Sequence, residues 1–380
     1  MCTNGRDGEA VVSVFGRVPL ARRQVMSDLR RLFVSVIGIG AALGLILILQ
    51  GLWVGFQAQI SSYEDNVGAD LFVGAPGIQN FLGDTSVVPA SAVSTVRAVP
   101  GVERADAVTA RGLVLDMDGR KQFAFMIASE PGGMGGPWRL QAGRLVTADD
   151  EAVVDQTLAD QHGLGLGDRI EVLGSSLRIV GLSAGTRSWM SSFVFVSPTS
   201  AEALLRSRGT VSYVLVRAAD AGTAAAEIQR RSGLAALTPE ALGDNDRRLL
   251  AKIMGAPLNL MVGVAFIAGT LIVALTVYSA VVERLREYGI AKAMGASRVR
   301  QFGIVLGQTS ILTALGAIAG WAVYEGGSRL ISWLRPQFWV QLSAGAVATV
   351  VAAAVLMAVL AAVVPTLRLV RLDPASVYRG

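Results

Sequence analysis

The sequence predicts an α+β membrane protein with four transmembrane helices and a large extracytoplasmic α/β domain between helices 1 and 2. Three observations carry this expectation. First, a mean hydropathy of +0.51 goes with only 17% charged residues over 380 positions, a pairing rare in soluble proteins of this size. Second, four apolar runs are each long enough to cross about 30 Å of hydrocarbon as a helix. Third, residues 57–257, between the first two runs, contain no such run and alternate short strand-like stretches with turn signals.

Residues 1–31 form a polar N-terminal segment carrying Arg17, Arg22, Arg23, Arg30 and Arg31, and 26–31 suits an interfacial helix. The first span, 32–56, is about 25 residues, longer than the ~7–15 apolar residues of a signal peptide, which predicts an uncleaved helix. Gly40/Gly44 and Gly51/Gly55 are GxxxG pairs that let another helix approach closely. In the domain, 69–74 reads as a strand and 90–98 as a helix stopped by Pro100-Gly101. Strands 102–116 and 121–129 flank Asp118-Gly119, a hairpin dipeptide. The glycine-rich segment 130–137 marks a subdomain boundary. The insertion near 131–205 holds a helix at 156–162 and strands at 169–173, 177–182 and 193–197. A strand at 211–217 and a helix at 224–231 close the domain, and 242–253 is a polar helix leading back to the membrane. The remaining spans are 258–282, 302–324 and 344–364, with Gly316/Gly320 as another close-packing pair in the third. Loop 325–343 carries Trp333, Phe338 and Trp339, ring types that favour the membrane–water interface.

Four spans put both termini and the loop 283–301 on one side. That side holds Arg17, Arg22, Arg23, Arg30 and Arg31 before the first span, then Arg284, Arg286, Lys292, Arg298 and Arg300, then Arg368, Arg371 and Arg379 in the tail 365–380. Loop 325–343 has only Arg329 and Arg335. The asymmetry assigns the arginine-rich side to the cytoplasm, with both termini there, and the large domain to the outside. The formal charge of +5 is read as membrane-facing, not as a sign of a nucleic-acid partner.

Several chemistries find little support. Cys2 is the only cysteine, so no internal disulfide forms, and His162 is the only histidine, which disfavours a His/Cys zinc site or a Ser-His-Asp triad. Asp149, Asp150, Glu151 and Asp155, with His162 nearby, could bind a cation or act as acid and base. They read first as a solvated helix start, where negative charge is favoured. Gly132–Gly136 reads as a flexible linker, since no strand–loop–helix pattern surrounds it to make a phosphate loop. The spans carry no charge in their central portions, which fits transmission of motion better than conduction. Gln50, Thr276 and Gln308 are read as polar bonds between neighbouring helices.

In the loop 283–301, ERLREYGIAKAMGASRVRQ, the charged residues after Val282 extend the second span out of the lipid. Tyr288, Ile290, Ala293 and Met294 place apolar surface on a short helix, with Lys292 on its polar side. Gly295 stops that helix and Ser297 suits an N-cap for the next. An exposed apolar edge here invites a protein partner or the lipid surface.

This loop resembles the R-x-x-E-[IY]-G-I-x-[KR]-A-[MIV]-G-A segment of MacB/FtsX-type ABC transporter permeases, through Arg284, Glu287, Gly289, Ile290, Lys292, Ala293, Met294, Gly295 and Ala296. Pro365, Arg368, Arg371, Leu372, Asp373 and Pro374 resemble the family's P-x-x-R-x-x-R-L-D-P ending. GADLFVG (68–74), PGV (100–102), GRLVTADDEAVV (143–154), LGLGDRI (164–170) and RIVGL (178–182) resemble its MacB-like periplasmic core domain. EYGIAKAMGAS is nearest to DevC-like permeases, which lack a fused ATPase. The resemblance implies that the loop, Tyr288 included, is a coupling helix docked on an ABC ATPase subunit dimer. It further implies a permease homodimer in the bacterial inner membrane, with a membrane fusion or adaptor protein among its possible partners. The substrate class it implies is lipid-like or otherwise amphiphilic.

A P-loop places its lysine directly after a glycine. Lys121, Lys252 and Lys292 all lack that glycine, so ATP and magnesium are expected on the partner chain, with no cofactor or catalysis in this one. The alternative reading is an FtsX-like transmembrane regulator of an extracytoplasmic cell-wall hydrolase. A membrane enzyme with an outward active site would rest on the acidic cluster.

Overall fold

A computed structural model describes residues 29–117, 119–188, 191–286, 290, 294, 297–335 and 338–370. The elements in chain order are α1 (Leu29–Ile60), α2 (Ser62–Asn66), β1 (Leu71–Gly74), β2 (Val88–Pro89), α3 (Ala92–Arg97), β3 (Val102–Met117) and β4 (Arg120–Ser129). Then come β5 (Leu140–Gly143), β6 (Glu151–Asp155), α4 (Gln156–His162), β7 (Arg169–Val172), β8 (Ser175–Ser183), β9 (Arg187–Ser188), β10 (Ser191–Val196) and α5 (Pro198–Leu205). The chain continues through β11 (Thr210–Val211), β12 (Tyr213–Ala218), α6 (Ala221–Ser232), β13 (Ala235–Leu237), α7 (Pro239–Glu283), α8 (Arg298–Leu334) and α9 (Ala344–Val370).

Contacts divide the chain into two units. One holds the chain up to Leu52, Pro257–Ile331 and the chain from Val340 on; the other holds Trp53–Ala256 and Ser332–Trp339.

In the first unit, α1, α7, α8 and α9 are long and apolar enough to cross a membrane. They meet around Ile39, Leu43 and Ile46 of α1, Val273 and Val277 of α7, Val305 and Leu312 of α8, and Met357 and Ala361 of α9. The outer faces stay apolar: Leu260, Val264, Ile267, Leu271 and Leu275 of α7 are all exposed, one helical stripe at spacings of three and four. Such a surface suits lipid and not water.

Two elements run far beyond the bounds the sequence suggested, and α1 and α9 run a few residues past theirs. The third helix does not end at residue 324 but continues to Leu334, so the first part of the expected loop 325–343 is helical. Ser328 and Arg329 both bond back to Glu325 there, supplying the local support that this polar stretch did not advertise. The polar helix expected at 242–253 and the second span are one helix of 45 residues, with Pro257 inside it. About 20 residues suffice to span the hydrocarbon, so the apolar part from 258 onward is the spanning portion.

The second unit is built on an eleven-stranded mixed sheet of order β13-β1-β12-β3-β4-β10-β6-β8-β5, with β7 added beside β8 and β9 beside β10. The pairs β4–β10 and β6–β8 are parallel. Strands from the insertion expected near 131–205 join the same sheet: β10 pairs along β4 from Ser192↔Ala124 to Val196↔Ala128. Alternation sorts the strand residues by face. Phe72, Phe125, Ile127, Phe193, Phe195, Tyr213 and Leu215 line one face. Leu71, Val73, Val214 and Val216 on the other pack against Val96 of α3 and Ile228 of α6. Ala124, Met126, Val194 and Val196 pack against Leu158 of α4 and Ala201 of α5.

Local signals explain the joints. Asp155 caps α4 by accepting the Thr157 N–H, and Gly163 ends it in the left-handed conformation at φ 65°. The β3–β4 turn is held by Asp116, which accepts the Gly119 N–H at 2.9 Å and the Lys121 ammonium at 2.6 Å. Asp118 lies outside the described residues.

Candidate functional site

Of the coupling positions, Glu287, Tyr288, Gly289, Lys292, Ala293, Gly295 and Ala296 lie outside the described residues, as do Arg371, Leu372, Asp373 and Pro374 of the C-terminal motif. Arg284 follows α7, its N–H donating to the Val281 carbonyl at 3.2 Å. The Met294 N–H donates to the Ile290 carbonyl at 3.0 Å, the spacing of one helical turn. Ile290 and Met294 are exposed, Met294 at 78%. Ser297 then accepts the Arg300 N–H at 3.3 Å, capping α8.

The glycine pairs of α1 and α8 face each other. A Cβ on Gly40 would stand 2.7 Å from the Ala319 Cβ, and one on Gly44 2.7 Å from the Val323 Cβ. A Cβ on Gly320 would lie 3.1 Å from the Gly44 nitrogen, and one on Gly316 would collide with Ile39. The two backbones meet at a distance only glycine allows. Farther along α1, Gly51 faces Val340 and its carbonyl accepts the Gln341 N–H at 3.0 Å, while Gly55 faces the Trp339 carbonyl. Thr276 of α7 meets Ser35 of α1, hydroxyl to hydroxyl, at 2.8 Å.

The aromatic face of the sheet is the seat for the segments that follow α1 and open α7. Tyr63 of α2 stacks on Phe81 at 4.8 Å and tilts against Phe193 at 5.5 Å. Its hydroxyl donates to the Gly135 carbonyl at 3.0 Å. That bond, with the Met134 N–H donating to the Asp106 carboxylate at 2.8 Å, gives the Gly132–Gly136 segment a fixed course. Leu242 of α7 is fully buried in the same cluster. The sequence held no sign of this seat beyond the spacing of its aromatics.

The acidic cluster is not a solvated helix start. Glu151 opens a strand and is 1% exposed; Asp155 is fully buried. Glu151 accepts Arg144, Arg178 and the N–H groups of Thr147 and Ala148. Those hydrogen bonds, Arg144 first, hold its carboxyl far below the usual carboxylate range. Asp155 accepts Thr157 and Thr186, and burial still raises its pKa. Asp149 accepts the Ser197 hydroxyl at 2.7 Å, and His162 sits in the last turn of α4. Among the described residues no three His, Cys, Asp or Glu side chains gather as a metal site.

The family model described as the MacB-like periplasmic core domain matches residues 32–231, and that of the FtsX-like permease C-terminal region matches 259–374. An uncharacterised ABC transporter permease of Mycobacterium tuberculosis strain H37Rv is 27% identical over 369 residues, covering 95% of this chain and 99% of the relative. One from Mycobacterium bovis is 27% identical over 365 residues with the same coverages. Among solved structures, the periplasmic region of MacB from Actinobacillus actinomycetemcomitans aligns at TM-score 0.36 and 11% identity, over 47% of this chain and 94% of that one. The extracellular domain of the transporter YknZ from Gram-positive bacteria aligns at TM-score 0.33 and 14% identity, over 45% and 99%.

Proposed function

This chain belongs to the ABC transporter permeases of the MacB/FtsX type, and from that premise we propose that it passes motion from a separate ATPase to its outer domain. The ATPase dimer binds the cytoplasmic segment around Ile290 and Met294, and ATP with magnesium stays on that partner. The observation that carries the proposal is the apolar pair Ile290 and Met294, exposed on one helical turn between α7 and α8. Exposed apolar residues on a short connection gain by burial against a partner, at about 25 cal/mol per Å² removed from water. Both termini lie in the cytoplasm, following the arginine asymmetry. Two copies of the chain work over the ATPase dimer, and a lipid-like or other amphiphilic substrate is exported or extracted with the outer domain's help.

Ile290→Asp tests the coupling role. The variant should insert and fold, yet lose most of the stimulation of the partner's ATP hydrolysis when both are reconstituted in vesicles. Full stimulation with the charge in place would remove the assignment of this turn.

A further inference from the structure

On the aromatic seat lie two acids that no coupling or packing role uses. Glu64 of α2 is 2% exposed and Asp246 of α7 is fully buried. Asp246 already accepts the Phe81 N–H at 2.9 Å and the Leu82 N–H at 3.4 Å. Among the described residues neither oxygen of Glu64 makes a hydrogen bond, and beside its own backbone N–H the group that faces it is the Asp246 carboxyl. Two carboxylates cannot donate to each other, so this contact becomes a bond only when one of them holds a proton.

The other titratable groups around the pair do not supply a counter-charge. On α2, Asp65 is another acid and accepts the Ser61 hydroxyl at 2.8 Å. In the loop before β2, Asp84 accepts the Gln79 and Asn80 N–H groups. On α7, Arg247 is bound to Asp244 at 2.6 Å and to the Ser61 hydroxyl at 2.7 Å, and Arg248 to the Asn245 side chain at 3.0 Å. Tyr63 and Tyr213 face the pair as neutral phenols, burial pushing both well above their ordinary range.

We propose that Glu64 and Asp246 share one proton, the Glu64 carboxylic acid donating to the Asp246 carboxylate, and that this proton ties α2 to the start of α7. The donor assignment follows from the partners: Asp246 accepts two backbone N–H groups and stays the anion, while Glu64 makes no such bond and takes the proton. Losing the proton leaves two buried negative charges side by side, and α2 separates from α7 at the cost of the close contact between Gly243 and Ser61. Burial first, then the neighbouring acid, raises Glu64; burial also pushes Asp246 up to about 6. A raised carboxyl stabilises the fold when protonated, so the tie is complete in acid and is lost as pH rises through the raised pKa of Glu64. The inference stands apart from the transport reading, since it concerns the outer unit alone.

The test uses the full chain in lipid nanodiscs. The thermal midpoint of the wild type should fall from about pH 5 to about pH 8. Glu64→Gln supplies an N–H donor that does not titrate, so its midpoint should be nearly flat over that window. Difference infrared spectra of the wild type should show a protonated buried acid that Glu64→Gln removes. A Glu64→Gln midpoint that kept the wild-type slope would overturn the proposal. Should that variant fail to fold, a wild-type infrared titration showing no protonated buried acid near neutral pH overturns it equally. So would a midpoint raised by magnesium or calcium at fixed pH, which would make the pair a cation site.

Discussion

At the scale of single residues, two described residues other than glycine stand in the left-handed region, Leu173 and Arg206. Leu173 sits at φ 50° and Gly174 at φ 82° in the two-residue turn closed by the Val172↔Ser175 pair. Such turns want Asn-Gly, and a leucine in the left-handed region costs on the order of 1 kcal/mol. Leu173 is half exposed, so little packing is lost with it. Leu173→Asn should therefore stabilise the domain by about 1 kcal/mol, read by denaturant unfolding followed through tryptophan fluorescence. Glu151 makes the second residue-scale case. Its carboxyl is depressed by Arg144, so its contribution is present above the ordinary value of 4.5 and is lost as pH falls. Glu151→Gln should weaken the domain at neutral pH and flatten its loss of stability in acid. An unfolding series against pH, compared with the wild type, measures both effects. The sequence displayed Glu151 among aspartates and so looked solvated; its partner Arg178 lies far outside that cluster and became its neighbour only through the pairing of β6 with β8.

At the scale of elements, the α1–α8 crossing is the sharpest constraint. Gly316→Ala puts a methyl group into Ile39, whereas Gly326, on the same helix, has nothing within 4 Å of an added Cβ. The first substitution should lower the thermal midpoint of the detergent-solubilised protein, and Gly326→Ala should hold or raise it, since alanine favours a helix interior by about 1 kcal/mol over glycine. Equal effects would mean that the crossing tolerates separation. The glycine spacings were legible because close helix approach leaves a local mark in sequence. So was α4, framed by Asp155 and Gly163, whose cap chemistry is also local. The extension of α8 through Glu325 and Arg329 was not, because its support comes from bonds one turn apart in a stretch without apolar periodicity. Glu64 and Asp246 were invisible for the same kind of reason: each is an ordinary acid in its own segment, and only folding makes them a pair.

At the scale of the whole molecule, two acidic sites pull stability in opposite directions with pH, Glu151 failing as pH falls and the Glu64–Asp246 pair as it rises. The sheet order carries a different consequence. β12, near the end of the domain, lies between β1 and β3, which come from its beginning. Until Tyr213–Ala218 has left the ribosome, β1 and β3 each present an open edge, and sequence-distant pairing of this kind is slow and exposed to aggregation. The nascent domain must therefore wait, with a gap inside its sheet, for a strand made nearly last.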